Sequence, residues 1–345
     1  MNKRRQLLAA SCRLAVAGAL AGSLGRAAGA SSATTVSISV PGPGNLLFLP
    51  ITLASRIRTD EPEGISLDIR YTGGGPQSFR DMLDHNADFA AGGLAALALQ
   101  RLSGKPVVCI VPTTRVPAYT LLVRSGLKDQ IRGISDLAGR VVGVKGHVPG
   151  GRSTSQLFTE FVLARSGVTP ERVNYVPVGQ AYDSQHAALA SGTVDAIMGD
   201  EPFATRLVRH NVAFVLADFH DPDTTRRQLG GLFLNGHVAT RSDFVANRPD
   251  IVDKVVRTIR NTLIWIDRHS ATDMVEALAV TDADERSAML DALSAHKNIY
   301  SPDGRISAEQ VATVDRFFHA TEKTEAARAL AIKDIINARW AGSMP

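Results

Sequence analysis

Two patterns alternate along the chain, apolar positions every second residue and apolar positions at helical spacing. Val36 to Val40 alternates as a strand and meets the loop Pro41-Gly42-Pro43-Gly44-Asn45, which opens onto an apolar helix over Leu46 to Ile57. Ile65 to Tyr71 repeats the strand pattern, Gly73-Gly74-Gly75-Pro76 breaks it, and Ser78 to His85 reads as the next helix. A short strand over Asp88 to Ala91, the turn Gly92-Gly93, a nearly all-apolar helix over Leu94 to Leu102 and a strand over Val107 to Pro112 follow. Strands alternating with helices at this spacing predict a parallel sheet. Tyr119 to Arg124 predicts a strand that leaves it.

The rhythm then restarts. After Ile134 to Gly139 come a strand over Val141 to Val144, a glycine-rich loop, a helix over Ser153 to Ser166, a strand over Asn174 to Val178 and a helix over Asp183 to Ser191. A strand over Val194 to Met198, a helix over Pro202 to His210 and a strand over Phe214 to Ala217 complete the second α/β block. Leu232 to Thr240 reads as a strand returning towards the first block, and from Asn247 onward every pattern is helical. Pro249 suits a first helical position, with Ile251, Val255, Ile259 and Ile266 on one apolar face, and Ser307-Ala308-Glu309-Gln310 is a capping box.

The stretch Val141 to Phe158 carries the strongest chemical signal. Gly146, Gly150 and Gly151 let the backbone bend where a side chain would clash, and Ser153, Thr154 and Ser155 stand where a helix start needs its N–H groups satisfied. An anionic group there meets free donors, hydroxyls and the positive end of a helix dipole. Arg152 adds a planar donor fork suited to a carboxylate or sulfonate. The same residues also fit an ordinary strand–loop–helix connection whose serines only cap.

Residues 1–30 read as an export leader: Lys3, Arg4 and Arg5, an apolar run from Leu14 to Leu24, and a small-residue cleavage site at Ala28-Gly29-Ala30. Arg4-Arg5-Gln6-Leu7-Leu8 resembles a twin-arginine signal, with Lys3 replacing the usual hydroxyl residue. No later stretch reaches the roughly 20 apolar residues of a membrane-spanning helix, so a soluble exported protein is expected. The leader holds five Lys or Arg and no acid, and its removal takes the formal charge from +4 to −1, which gives no support to nucleic-acid binding. Cys109 is then the single cysteine, set in the apolar run Val107 to Val111, so no intrachain disulfide is expected and a small core residue is. About 315 remaining residues exceed one comfortable core and predict two lobes.

Catalytic patterns fail in their details. Gly146 to Ser153 fits a phosphate-binding G-x-x-x-x-G-K-S loop except that Arg152 replaces the lysine, and Ile197-Met198-Gly199-Asp200-Glu201 imitates a metal-binding acidic strand end, so a P-loop-like nucleotide-binding enzyme is the rival reading. Gly42-Pro43-Gly44 lacks the third glycine of a dinucleotide loop, and Gly151 to Ser155 lacks the closing glycine of a nucleophile elbow. The nine histidines form no H-E-x-x-H and no cluster with cysteine, which leaves zinc unsupported, and His147 reads as solvent-facing. No cofactor and no metal are expected.

The segment Asp136-Leu137-Ala138-Gly139-Arg140-Val141-Val142-Gly143-Val144, the turn Gly192-Thr193-Val194-Asp195-Ala196 and Glu201-Pro202-Phe203 resemble periplasmic substrate-binding proteins of ABC importers, in particular the sulfonate, nitrate and pyrimidine-precursor binders. The resemblance covers essentially the whole mature chain. It implies an α/β, two-lobed periplasmic-binding-protein fold, each lobe a mainly parallel sheet flanked by helices, with residues 31–117 and 232–345 in the first lobe and 118–231 in the second. It further implies a periplasmic monomer, not an enzyme, that captures a small organic anion, a sulfonate or carboxylate with or without an amine, and delivers it to a permease in the inner membrane; taurine and nitrate are among the ligands this leaves open. A sensing role beside a receptor is the alternative within that fold. The eukaryotic pyrimidine-synthesising relatives carry a cysteine-rich motif that this chain lacks, so their activity is not carried over.

Ligands of open α/β sheets bind beyond the carboxyl ends of strands, which selects the loops as the site. The expected ligand-binding residues are Asn45, Phe48, Gly92, Gly93, Thr113 and Thr114 from the first lobe, with Phe233 on the returning segment. From the second they are Gly151, Arg152, Ser153, Thr154, Ser155, Tyr182, Asp200 and Glu201. Asp200 and Glu201 would repel an anion unless one pairs with Arg152 or the ligand also bears an amine. Closure is expected to hinge near Pro117 to Leu121 and Asp218 to Leu232.

Overall fold

The computed structural model describes residues 33–145 and 151–342. The leader over residues 1–30 lies outside them, as do Gly146, His147 and Gly150 of the glycine-rich loop, so the readings placed on those residues have no structural counterpart here.

The strands are β1 (Thr34–Val40), β2 (Ile65–Tyr71), β3 (Phe89–Gly93), β4 (Val107–Pro112), β5 (Thr120–Arg124), β6 (Val141–Lys145), β7 (Asn174–Val178), β8 (Ala196–Gly199), β9 (Ala213–Asp218) and β10 (Gly236–Arg241). They form two five-stranded sheets, β2-β1-β3-β10-β4 and β7-β6-β8-β5-β9. The two orders follow one rule. β1 pairs in parallel with β2 and β3, and β6 with β7 and β8, while β10 and β5 run antiparallel between their neighbours. Each sheet is therefore mainly parallel with one reversed strand, and each reversed strand is the first to enter its sheet after the chain has crossed over from the other.

The helices in order are α1 (Leu49–Arg56), α2 (Gly75–Leu83), α3 (Leu94–Leu102), α4 (Thr154–Arg165), α5 (Tyr182–Ala190), α6 (Phe203–Arg209), α7 (Pro222–Leu229), α8 (Ser242–Asn247), α9 (Pro249–Arg268), α10 (Ala271–Leu278), α11 (Ala283–His296), α12 (Ala308–Thr321), α13 (Glu325–Ala329) and α14 (Ala338–Ala341). Local signals set their ends. Pro249 opens α9, and the Ser307 hydroxyl accepts from Gln310 N while the Gln310 side chain accepts from Ser307 N, closing the expected capping box on α12. No helix among the described residues is long and apolar enough to cross a membrane.

Several boundaries differ from the sequence pattern: Gly92-Gly93, expected as a turn, ends β3, and the helix expected from Leu46 starts as a 3-10 turn before α1. The helix expected from Ser78 begins at Gly75, because Pro76 is tolerated in a first helical turn. The returning strand expected from Leu232 begins at Gly236, because Phe233 leaves for a core of rings, 5.6 Å from Phe158 and 5.0 Å from Phe317. The chain crosses between the sheets after β4 and after β9, and the expected hinge segments fall in those crossings.

One apolar cluster joins Phe79 and Leu94 of the first half to Leu157 and Phe158 of α4 and Phe317 of α12. The halves thus share a core. A second cluster covers the other face of the first sheet with side chains of α1, α9 and α11, among them Leu53, Ile259 and Leu293, which places α11 with the first half. Cys109 is a free, fully buried thiol whose burial pushes its pKa up.

Candidate ligand-binding cleft

Four segments meet where the strand ends of the two sheets face each other. The loop after β1 ends at Asn45, whose Oδ1 accepts from Leu47 N at 2.8 Å and starts a short 3-10 turn over Leu46–Phe48. Leu46 N donates to the Glu201 carbonyl at 2.8 Å, a main-chain bond between the halves. β3 ends at Gly93, the residue before α3. A Cβ there would lie 2.3 Å from Thr154 Oγ1, so only glycine allows this approach.

Thr154 and its neighbours are the other side of that approach. Ser153 caps α4, accepting from Gln156 N at 3.2 Å, and its hydroxyl lies 3.0 Å from that of Ser155. Thr154 Oγ1 accepts from Ala96 N at 3.0 Å, so a side chain at the start of α4 satisfies a donor at the start of α3. The amino ends of both helices therefore point into one space. Thr154 N and Ser155 N meet no acceptor among the described residues.

Lys145 ends β6 and Asp200 follows β8, and the two side chains form an ion pair, both almost wholly buried. Burial favours the neutral amine and pulls the lysine pKa down, against the attraction of Asp200, which holds the charge. The ammonium lies 5.6 Å from the centre of the Tyr119 ring. That phenol is held well above its usual range by burial and by the Asp200 charge.

These groups line a cleft with about 30 Å³ open to water, completed by Pro41, Gln180 and Gly75 at its edges. That is room for roughly two waters, so the halves stand closed on each other. The lining can present helix-terminal N–H groups, hydroxyls and an ammonium to an anion, and a carboxylate to an amine. Among its described residues it has no histidine or cysteine to serve as base or nucleophile.

The expected site residues divide sharply. Asn45, Phe48, Gly93, Ser153, Thr154, Ser155 and Asp200 line the cleft. Gly92 lies behind it, its absent Cβ replaced by the Phe79 ring, and the buried Thr113 and Thr114 fasten β4 to the start of β10, Thr114 Oγ1 accepting from Gly236 N at 2.9 Å. Gly151 is half-buried ahead of the cap. Arg152 does not reach the lining: its guanidinium is held by Glu160 at 2.8 Å and by Glu322 after α12. Tyr182 stacks under the Arg206 guanidinium at 4.0 Å, and Phe233 is core. Glu201 accepts from Thr205 N at 3.0 Å and points away from the lining, its buried carboxyl raised above the usual carboxylate range.

Sequence reasoning missed Lys145 and Tyr119. The signal for Lys145 was a lone lysine closing an apolar strand directly before the glycine-rich loop, whereas nothing local marks Tyr119.

Sheet order, crossing pattern and a cleft between strand ends define a two-lobed periplasmic-binding-protein fold. The profile of the family described as "NMT1/THI5 like" matches residues 61–270, and the chain belongs to that family. It is similar to the putative binding protein YtlA of Bacillus subtilis (strain 168), 22% identical over 276 residues and 77% of each chain. A solved structure from Bordetella bronchiseptica RB50 superposes with a TM-score of 0.80 at 23% identity, over 90% of this chain and 96% of the other. The alkanesulfonate-binding protein SsuA from Xanthomonas axonopodis pv. citri, bound to MOPS, superposes with a TM-score of 0.69 at 19% identity, over 88% of this chain and 98% of its own.

Proposed function

We propose that the chain is an extracytoplasmic solute-binding protein, with no chemistry of its own, that captures a small organic anion bearing an amine and delivers it to an ABC import permease. The lobes divide at residues 31–117 with 232–345 and 118–231, and the ligand enters as they part. The observation that carries the reading is the convergence of the α3 and α4 amino ends and Lys145 on a cleft whose described lining holds a single acid, Asp200. A sulfonate or carboxylate takes the Thr154 and Ser155 amides and the hydroxyls beside them, and the amine of the ligand takes Asp200. The alkanesulfonate-binding description of the Xanthomonas protein supports a sulfonate.

Each charge-assisted bond contributes roughly 1.5–3 kcal/mol, against roughly 8 kcal/mol for micromolar affinity, so three or four such contacts inside a closed cleft suffice. Enclosure by both lobes is what couples binding to closure. Calorimetric titration of the mature chain with taurine, an unsubstituted alkanesulfonate, an aromatic carboxylate, nitrate and an aminopyrimidine tests the reading. The expected result is micromolar binding of an amine-bearing sulfonate or carboxylate, and at least tenfold weaker binding of the alkanesulfonate that lacks the amine. No heat from any of these anions, with a nucleotide triphosphate raising the melting temperature instead, would overturn it.

A further inference from the structure

Away from the cleft lining, three metal-ligating side chains from distant parts of the chain come together. Glu201 follows β8, His220 follows β9, and His296 is the last residue of α11, and one donor atom of each lies within 4.8 Å of the others. His220 is fully buried. Its Nδ1 lies 2.5 Å from Asp218 Oδ1, which also accepts from His220 N at 2.9 Å. The carboxylate holds the proton on Nδ1 and leaves the lone pair on Nε2, and Nε2 has no hydrogen-bond partner. A buried, unpartnered imidazole nitrogen close to a carboxylate and a second imidazole, with its other nitrogen tied to an acid, is the arrangement that orients histidine on a metal.

We infer that Glu201, His220 and His296 form a binding site for a transition-metal ion of the zinc type that ties the two lobes together. Two imidazoles and one carboxylate suit zinc and its neighbours and not magnesium or calcium, which take oxygen donors. Three protein ligands leave a fourth position for water. Bonds of about 2.0–2.1 Å bring tetrahedral donors to roughly 3.4 Å from one another, so the donors must draw in. His296 provides the movement: it is only half-buried at a helix end, its ring stacked on His220 at 4.3 Å between centroids, and turning it out of that stack closes the set.

The consequence is mechanical. Glu201 and His220 belong to the second half, whereas α11 puts Met289 and Leu293 into the apolar cluster of the first while also lying against α6 of the second. A bound ion therefore bridges the halves one residue from Asp200, on the same segment whose Glu201 carbonyl accepts from Leu46 N. It stabilises the closed arrangement whether or not the cleft is filled.

The test uses the full mature chain without a polyhistidine tag, stripped with a chelator, titrated with zinc chloride by calorimetry and with cobalt(II) by visible absorption, no organic ligand being present. The expected result is one ion per chain, with affinity lowered at least tenfold in His296→Ala and in His220→Gln and unchanged in His210→Ala. Because His296 is half-exposed, its variant should keep the fold, which a thermal scan without metal checks. No stoichiometric binding by the wild type, or binding that survives both variants, would overturn the inference. The organic ligand plays no part, so failure here leaves the solute-binding reading untouched, and failure of that reading leaves this result standing.

Discussion

The Thr154 hydroxyl, from the half built on the second sheet, accepts the backbone N–H of Ala96, from the half built on the first, at 3.0 Å. The bond joins the amino ends of two helices, so it brings two positive dipole ends together at a point where nothing but an anion or an acceptor is welcome. On the proposed reading, closure and anion capture therefore meet at the start of α4.

Thr154→Val keeps the shape and removes the acceptor, leaving a buried Ala96 N–H unpaired. It should cost about 1–3 kcal/mol in chemical denaturation. Gly93→Ala should act through the same contact, since its Cβ would lie 2.3 Å from Thr154 Oγ1. We expect it to hold the lobes apart, so that ligand affinity measured by calorimetry falls at least tenfold.

Lys145 and Asp200 make a buried pair, and removing one partner strands the other charge. Lys145→Met should destabilise by about 3–5 kcal/mol, and adding Asp200→Leu should restore much of the loss, because a desolvated pair replaced as a unit leaves no orphan. Asp200→Asn alone should weaken an amine-bearing anion more than one without an amine, a difference read by titrating both.

Arg152 is committed to Glu160 and Glu322 and lies outside the cleft lining. Arg152→Ala should thus change ligand affinity less than threefold while lowering stability by about 1 kcal/mol, a partly exposed network contributing modestly. A tenfold loss of affinity with stability intact would return the guanidinium to the site.

His237 on β10 is fully buried and its pKa is pushed down to about 4 by burial, against an unfolded value near 6.5. The folded state keeps this ring neutral, so between those values the unfolded chain binds the extra proton. Stability from this group is complete above about pH 6.5 and falls by about 3 kcal/mol as pH drops to about 4. Denaturation midpoints across that range should show this slope, and His237→Gln should flatten it.

The fold was largely legible in the sequence because its signals are local. Alternation in Val36 to Val40, the apolar run of Val141 to Val144 and the caps at Ser153 and Ser307 depend on neighbours a few residues away, and the structure places elements on all of them. The candidate site was legible only in part. Ser153, Thr154, Ser155 and Asp200 are strand-end and helix-start residues, positions that an α/β sheet turns towards a ligand by its connectivity alone.

Charge partners were not legible, and the reason is the same in each instance. A guanidinium beside a glycine-rich loop looks free until Glu322 comes back from the far end of the chain, and a lysine at a strand end looks unremarkable until Asp200 closes over it. By itself the sequence determined the order of strands and helices and where the helix starts fall, since propensity, capping and burial pattern act over a turn or two. Only the tertiary structure decided which acid meets which base, that β5 and β10 each run antiparallel between their two neighbours, and that Glu201, His220 and His296 share one place, because those meetings depend on how distant segments pack once the apolar surfaces have chosen their neighbours.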